Sequence, residues 1–195
     1  MKYASRNILA GALLCAAAAG LVLAQAAPVK ASPPVLIASC GQSTAPDTLN
    51  AIFRKVAVPY DVVAAATVKD LAAKPYKTLI VTMGASLKGM GAAGVSIDDE
   101  LKRTGELIEA ARKAKITIIG AHIEGMSRRS QGAEAGDTTD EQSIDLVAPK
   151  SDILFIRKDG NSDNRFTIIA AAKKIPLVEF EKNLQMIPEL EKILK

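Results

Sequence analysis

The stretch KTLIVTMGASLKGMGAAGVSIDDE, residues 77–100, contains the three signals that decide the fold. Its first part, 77–83, has a continuous apolar centre, which predicts a strand covered on both faces. A segment rich in glycine and serine follows. Ser96 and Asp99 then have the spacing of a capping box, which predicts a helix beginning at residue 97. The stretch is therefore a strand, a turn and a helix in sequence.

The same alternation of apolar runs and amphipathic segments continues on both sides of this stretch. Further strands are predicted over 35–39, 60–65, 116–123, 152–157 and 176–180, and helices over 44–57, 67–73, 97–114, 139–148, 165–174 and from Pro188 onward. Such alternation predicts an α/β fold, a three-layer αβα domain with five or six mainly parallel strands, flavodoxin-like or Rossmann-like. The strand order 2-1-3-4-5-6 is expected, and 3-2-1-4-5-6 is the alternative.

The amino-terminal residues have the pattern of a secretory signal. Lys2 and Arg6 precede an apolar stretch, 8–23, and Ala24-Gln25-Ala26 offers a cleavage site. We therefore expect a secreted or periplasmic protein that meets the membrane only through this segment; an uncleaved anchor is the alternative. The expected organisation is a signal peptide over 1–26, a flexible lead-in over 27–34 and one α/β domain over 35–195.

Composition excludes several functional classes. Cleavage would remove Lys2 and Arg6 and lower the formal net charge from +4 to +2. With no basic stripe, no Trp and 4% aromatic residues, nucleic-acid binding is not expected. Cleavage would also leave Cys40 as the one cysteine, so no internal disulfide is expected. One Cys and one His do not build a typical zinc site. We expect neither a metal nor a cofactor.

Ligands of open α/β sheets bind beyond the carboxyl ends of the strands, so the segments after each strand are the candidate site. The only histidine of the chain and a pair of arginines fall there. The candidate ligand-binding residues are Gln42, Ser43, Gly84, Ser86, Lys88, Gly89, His122, Glu124, Arg128, Arg129, Asn161 and Asp163.

The glycine-rich segment 82–96 has two interpretations. Glycine N–H groups, serine hydroxyls and Lys88 beside a helix start favour a bound anion. Alternatively, the segment is a long flexible bend. It is not a Walker motif, because Lys88 is followed by Gly89. Its G-x-G-x-x-G spacing is also not a dinucleotide site. The motif begins several residues after the predicted strand, and no acidic residue ends a following strand at the expected offset.

Catalytic interpretations compete with structural ones. Cys40 or Ser86 could act as a nucleophile with His122 as base. For Cys40 this requires that the strands preceding Cys40 and His122 are neighbours in the sheet. Alternatively, Cys40 is a small buried residue and His122 a hydrogen-bonded one. Arg128 and Arg129 could clamp an anion or lie in solvent. The triplet 98–100 is better explained by the helix dipole than by chelation. Asp159 and Asp163 with Asn161 could hold a cation, although a turn is favoured.

Four motifs occur in a fixed order along the chain. They are Gly41-Gln42-Ser43, Gly84-x-Ser86-x-Lys88-Gly89-x-Gly91-Ala92-Ala93-Gly94, His122-Ile123-x-Gly125 with Arg128-Arg129, and Gly160-Asn161-x-Asp163. On these motifs the chain, from Pro34 to Leu194, resembles an uncharacterised family of secreted bacterial proteins, the domain of unknown function numbered 6305. Ala85 and Glu124 stand where that family usually has glycine, which implies a narrower, more acidic pocket. The resemblance also implies that the four segments form one site.

Together these patterns favour a binding protein over an enzyme. The expected ligand is a small polar or anionic molecule held at the carboxyl edge of the sheet, and the expected protein partner is a transporter or sensor. The alternative is a hydrolase or acyl-transfer enzyme that uses Cys40 or Ser86 with His122.

Overall fold

The computed structural model describes residues 29–130 and 138–195, and its strands form one parallel sheet. The strands are β1 (Val35–Ser39), β2 (Tyr60–Val62), β3 (Thr78–Thr82), β4 (Thr117–His122), β5 (Ile153–Arg157) and β6 (Leu177–Phe180). Their order is β2-β1-β3-β4-β5-β6, and every neighbouring pair is parallel. This confirms the expected order 2-1-3-4-5-6.

Helices cover both faces of the sheet. They are α1 (Ala45–Val56), α2 (Val68–Ala72), α3 (Leu87–Ala93), α4 (Ile97–Lys113), α5 (Thr139–Val147), α6 (Arg165–Lys173) and α7 (Met186–Leu194). Helices α1 and α7 share one apolar cluster with the sheet, while α2, α4, α5 and α6 share a second cluster. The three-layer αβα architecture is therefore confirmed.

The apolar runs explain why the middle of the sheet is covered on both sides. All five residues of β1 and all five of β3 are buried. Because successive side chains of a strand point to opposite faces, Leu79 joins one cluster and Ile80 the other. A strand that is apolar at every position can therefore pack against helices on both faces of the sheet.

The segment after β3 is not the flexible bend that the glycines suggested. Ser86 caps α3, its Oγ accepting a hydrogen bond from the Gly89 N–H at 3.0 Å. Gly94 ends the helix in the left-handed conformation, with a φ of 67°. These two end signals define a short helix even though its interior holds glycine, which lowers helix propensity.

The capping-box prediction for α4 is confirmed, because Ser96 and Asp99 exchange both hydrogen bonds. The last helix begins at Met186 rather than at Pro188. Proline is tolerated throughout the first helical turn, since no N–H there needs an intrahelical partner. The proline therefore marks the first turn without fixing its first residue.

Part of the expected lead-in contacts the domain. The Ala31 N–H donates to the Ile193 carbonyl at 3.1 Å, and Ser32 N–H donates to Thr78 Oγ1 at 3.0 Å. The described residues 29–34 are thus tied to α7 and β3. The expected signal peptide, including Cys15, lies outside the described residues. In the part of the chain that the structure describes, the helices are too short or too polar to cross a membrane.

Candidate functional site

Three consecutive residues after β3 form the floor of the candidate site. Gly84 has a φ of +105°, and a Cβ there would lie 2.8 Å from the Cβ of Arg128. The Ala85 N–H donates to Asp140 Oδ1 at 2.7 Å. The turn after β4 and the first turn of α5 are therefore held against 84–86.

The turn after β1 closes the other side of this floor. The Ser86 N–H donates to the Gly41 carbonyl at 2.7 Å. A Cβ on Gly89 would lie 2.1 Å from the carbonyl oxygen of Gln42. This close approach requires glycine, and it brings α3 against the β1 turn.

A surface pocket of about 670 Å³ lies above these turns. Five predicted residues line it: Gln42, Ser86, Lys88, Gly89 and Arg128. Five more polar lining residues were not predicted: Thr44, Ser130, Thr138, Thr139 and Asp140. The glycine-rich segment therefore contributes to a pocket as well as to a helix.

Two cationic side chains reach the pocket. Lys88 is exposed, and its ammonium group has no hydrogen bond or ion pair with any residue in 29–130 or 138–195. Arg128 has a side chain 27% exposed, and its Nε lies 3.5 Å from Glu124 Oε1. The same oxygen accepts a hydrogen bond from Thr44 Oγ1 at 3.1 Å. Glu124 therefore bridges the β1 and β4 turns and only partly neutralises Arg128.

Asp140 is the acidic group that lines the pocket among the described residues. Burial raises the pKa of its carboxyl, although the Ala85 N–H and the charge of Arg128 both oppose this shift. The neighbouring carboxylates of Glu141 and Glu124 add to the rise. Asp140 consequently takes up a proton at a higher pH than an ordinary aspartate does.

Two helix starts also border the pocket. Thr44 is the N-cap of the 12-residue α1, and Thr138 is the N-cap of the 9-residue α5. The amino-terminal end of a helix carries partial positive charge. Together with Lys88 and Arg128, these ends place positive charge around the pocket, opposite in sign to the carboxylate of Asp140.

His122 does not line this pocket. Its side chain is fully buried, and its ring packs on Phe166 with 5.1 Å between ring centroids. Nε2 lies 3.2 Å from the Arg128 carbonyl, so the neutral ring donates there, and Nδ1 has no partner among the described residues. Burial lowers the pKa of His122 to about 4. The ring is therefore neutral at physiological pH.

Cys40 is also buried away from the pocket. Its backbone carbonyl accepts a hydrogen bond from Ser143 Oγ at 2.8 Å, and burial raises the pKa of its thiol. A Cys40–His122 pair required neighbouring strands, but β3 lies between β1 and β4. No hydrogen bond joins the two side chains among the described residues. The structure thus does not form that pair, and both residues have the structural role considered as the alternative.

The two adjacent arginines have different roles. Arg129 is 7% exposed and does not line the pocket. Its Nε lies 2.6 Å from Glu141 Oε1 and its Nη2 lies 2.5 Å from Asp163 Oδ2. Glu141 also pairs with Arg165 at 2.9 Å. The arginine clamp expected from the sequence is therefore reduced to Arg128, while Arg129 and Asp163 belong to a buried ion cluster.

Asn161 and Ser43 make hydrogen bonds within the fold. Asn161 Nδ2 donates to Thr167 Oγ1 and to Glu179 Oε1, each at 2.8 Å, and its Oδ1 accepts from the Phe166 N–H. Ser43 is 7% exposed, and its Oγ accepts from the Ala45 N–H at 3.3 Å. Neither side chain lines the pocket.

A buried ion pair that the sequence did not reveal holds the β1 turn. Glu100 is 2% exposed, and its carboxylate accepts hydrogen bonds from Gly41 N–H at 2.8 Å and from Gln42 Nε2 at 2.9 Å. Arg103 Nη2 lies 2.7 Å from the same carboxylate. Glu100 and Arg103 are three residues apart on a helix, and this spacing is the signal in the sequence that could have revealed the pair. In the described ranges, no group of His, Cys, Asp and Glu is arranged to hold a metal ion.

Comparison with known proteins identifies one matching family. The model of a family described as a domain of unknown function, DUF6305, matches residues 32–194. No protein of curated function matches the chain.

The chain also has low similarity to several solved structures. One is a GDSL-like lipase from Bacteroides thetaiotaomicron, with 14% identity over 74% of this chain and 66% of the lipase, and a TM-score of 0.36. The chain thus spans just under two thirds of the lipase. Another is an acetyl xylan esterase, with 8% identity over 82% and 85% of the two chains and a TM-score of 0.39. Likenesses at this level carry no conclusion about activity.

Proposed function

The chain belongs to the family of domain of unknown function 6305, and from this premise we propose that it binds a small polar or anionic ligand in the pocket above 84–86. One observation carries the proposal. Lys88 and Arg128 line the same pocket as the N-cap residues of α1 and α5, whereas the sole histidine is buried and does not line it. The described lining of the pocket supplies two cations, several hydroxyl groups and the carboxyl of Asp140, and it includes no imidazole.

The electrostatics of the pocket support an anion rather than a neutral sugar. The Lys88 ammonium group has no partner among the described residues, and the Arg128 guanidinium makes a 3.5 Å contact with Glu124 and acts on Asp140 through its charge alone. A bound carboxylate or phosphate would complete the pairing of both cations with charge-assisted hydrogen bonds. The hydroxyls of Ser86 and Thr139 provide further donors at the same surface.

We further propose that the protein works outside the cytoplasm. The basic residues Lys2 and Arg6, the apolar stretch 8–23 and the small residues at 24–26 support export. A transporter or a sensor is the partner that a soluble binding protein in that compartment would serve.

Binding of small anions by the mature chain is the first test. We expect carboxylates or phosphates in a thermal-shift panel to raise the melting temperature, because a ligand that binds only the folded state stabilises it. Lys88→Met should lower the affinity for the ligand that stabilises the wild type about tenfold, because one charge-assisted contact is lost. Lys102→Met, on the exposed face of α4, should leave binding unchanged. A folded wild-type sample that no anion stabilises would contradict the proposal.

Hydrolysis of an ester at the same pocket is the second candidate function. It is favoured by Ser86, whose hydroxyl lines the pocket beside cations that could stabilise an oxyanion. The general base in this candidate function is His122, whose ring contacts the Arg128 carbonyl and Phe166. Catalysis would therefore require the β4 turn to rearrange.

The hydrolase candidate predicts a distinctive pH profile with p-nitrophenyl acetate. Because burial lowers the pKa of His122 to about 4, a rate that depends on this base stays constant from about pH 8 to about pH 5 and falls below that. Ser86→Ala should abolish the rate. Ser96→Ala removes an equivalent helix cap outside the pocket and should cost only about 1 kcal/mol of stability. Equal rates in Ser86→Ala and wild type would exclude Ser86 as the nucleophile.

A further inference from the structure

We infer that the ligand is a zwitterion, an aminocarboxylate with an aliphatic body, whose carboxylate binds Lys88 and Arg128 while its ammonium group binds Asp140. This inference rests on the proposed anion-binding function and narrows it to one chemical class. Three features of the pocket support it: opposed charges, the fixed position of the acidic group, and an apolar wall.

The opposed charges come from three different elements that border one pocket. Arg128 belongs to the turn after β4, and its Cβ would lie 2.8 Å from a Cβ on Gly84. Asp140 belongs to the first turn of α5. Lys88 approaches from α3. Since two cations and a carboxylate line the same space, a ligand that carries both charges can pair with all three groups, whereas a ligand with a single charge is also repelled by the groups of its own sign.

Asp140 is held in place by the fold. Its Oδ1 accepts the Ala85 N–H at 2.7 Å, so the carboxyl group is fixed at the floor of the pocket. The charged groups that face it are Arg128, Glu141 and Glu124, and Lys88 lines the same space. The Ala85 N–H satisfies one oxygen of the carboxylate, which leaves acceptor capacity for a ligand donor. A ligand ammonium group would offset the repulsion from both neighbouring glutamates.

The apolar wall explains why the ligand should have an aliphatic body. Leu87 lines the pocket although the residue is 72% exposed, and Ala85 and Ala92 line the same pocket. A leucine this exposed gains apolar contact only when something covers it. At about 670 Å³ the pocket also has room for more than the two charged groups.

Calorimetric titration of the mature protein at about pH 7.5 tests the inference with leucine and the dipeptide leucyl-leucine. Matched derivatives remove one charge at a time: N-acetylleucine lacks the ammonium group and leucinamide lacks the carboxylate. We expect a zwitterion to bind at least about tenfold more tightly than either derivative. Asp140→Asn should remove the preference over N-acetylleucine. Asp98→Asn, at the same position of the first turn of α4, should retain it.

The outcomes separate this inference from the proposal on which it rests. N-acetylleucine binding as tightly as leucine, or an unchanged preference in Asp140→Asn, would overturn the zwitterion while leaving anion binding intact. Phosphate or simple carboxylates binding when neither zwitterion does would overturn it as well. Failure of every anion in the thermal-shift panel would overturn the proposed function itself. As the pH falls, protonation of Asp140 should reduce the preference for leucine over N-acetylleucine. A preference that increases would contradict the role assigned to Asp140.

Discussion

Glu141→Gln should lower the free energy of unfolding by about 3–5 kcal/mol, the cost of removing one partner from a buried ion pair. Glu141 is fully buried and pairs with Arg129 at 2.6 Å and with Arg165 at 2.9 Å. The Arg129 side chain is only 2% exposed, so water cannot replace this carboxylate, and the half-exposed Asp163 would remain as the only anionic partner of Arg129 among the described residues. Urea denaturation monitored by circular dichroism measures the loss.

The control for this substitution is Glu109→Gln. Glu109 lies on the exposed face of α4, so its replacement should change stability by no more than about 0.5 kcal/mol. Similar losses in the two variants would mean that the ion cluster of Arg129, Glu141, Asp163 and Arg165 does not hold α5 and α6 to the β4 turn. The pocket would then lack the support that positions Asp140.

Gly89→Ala should lower the free energy of unfolding by about 2–3 kcal/mol through overpacking. The added Cβ would lie 2.1 Å from the carbonyl oxygen of Gln42, which is backbone and therefore yields only if the β1 turn moves. The same movement should weaken ligand binding, since Gln42 lines the pocket. Denaturation and the thermal-shift panel measure the two effects.

Gly91→Ala is the matched control two residues further along α3. A Cβ on Gly91 meets nothing within 4 Å, so the substitution should raise helix propensity and stabilise the protein by about 0.5–1 kcal/mol. Equal stability changes at the two positions would show that α3 does not contact the β1 turn closely. The pair isolates the contact because both glycines lie in the same short helix.

Which residues share the pocket could be predicted only in part. Gln42, Ser86, Lys88, Gly89 and Arg128 were found because each follows a strand at the carboxyl edge. Asp140 was missed because its place depends on the Ala85 N–H, 55 positions away along the chain. Arg128 and Arg129 are indistinguishable in sequence, yet only Arg129 meets Glu141 and Asp163.

The sequence by itself determined the αβα fold, because period and end signals are local properties of the chain. Apolar runs such as 78–82 require cover on both faces, and caps such as Ser96 define where helices begin. Only the tertiary structure decided which side chains turn toward the pocket and which toward the core. His122 is buried against Phe166, and Glu100 holds the β1 turn, because segments far apart in sequence meet there. Local sequence patterns place a residue at the carboxyl edge of the sheet. The direction of its side chain depends on partners from distant segments, which only folding brings near.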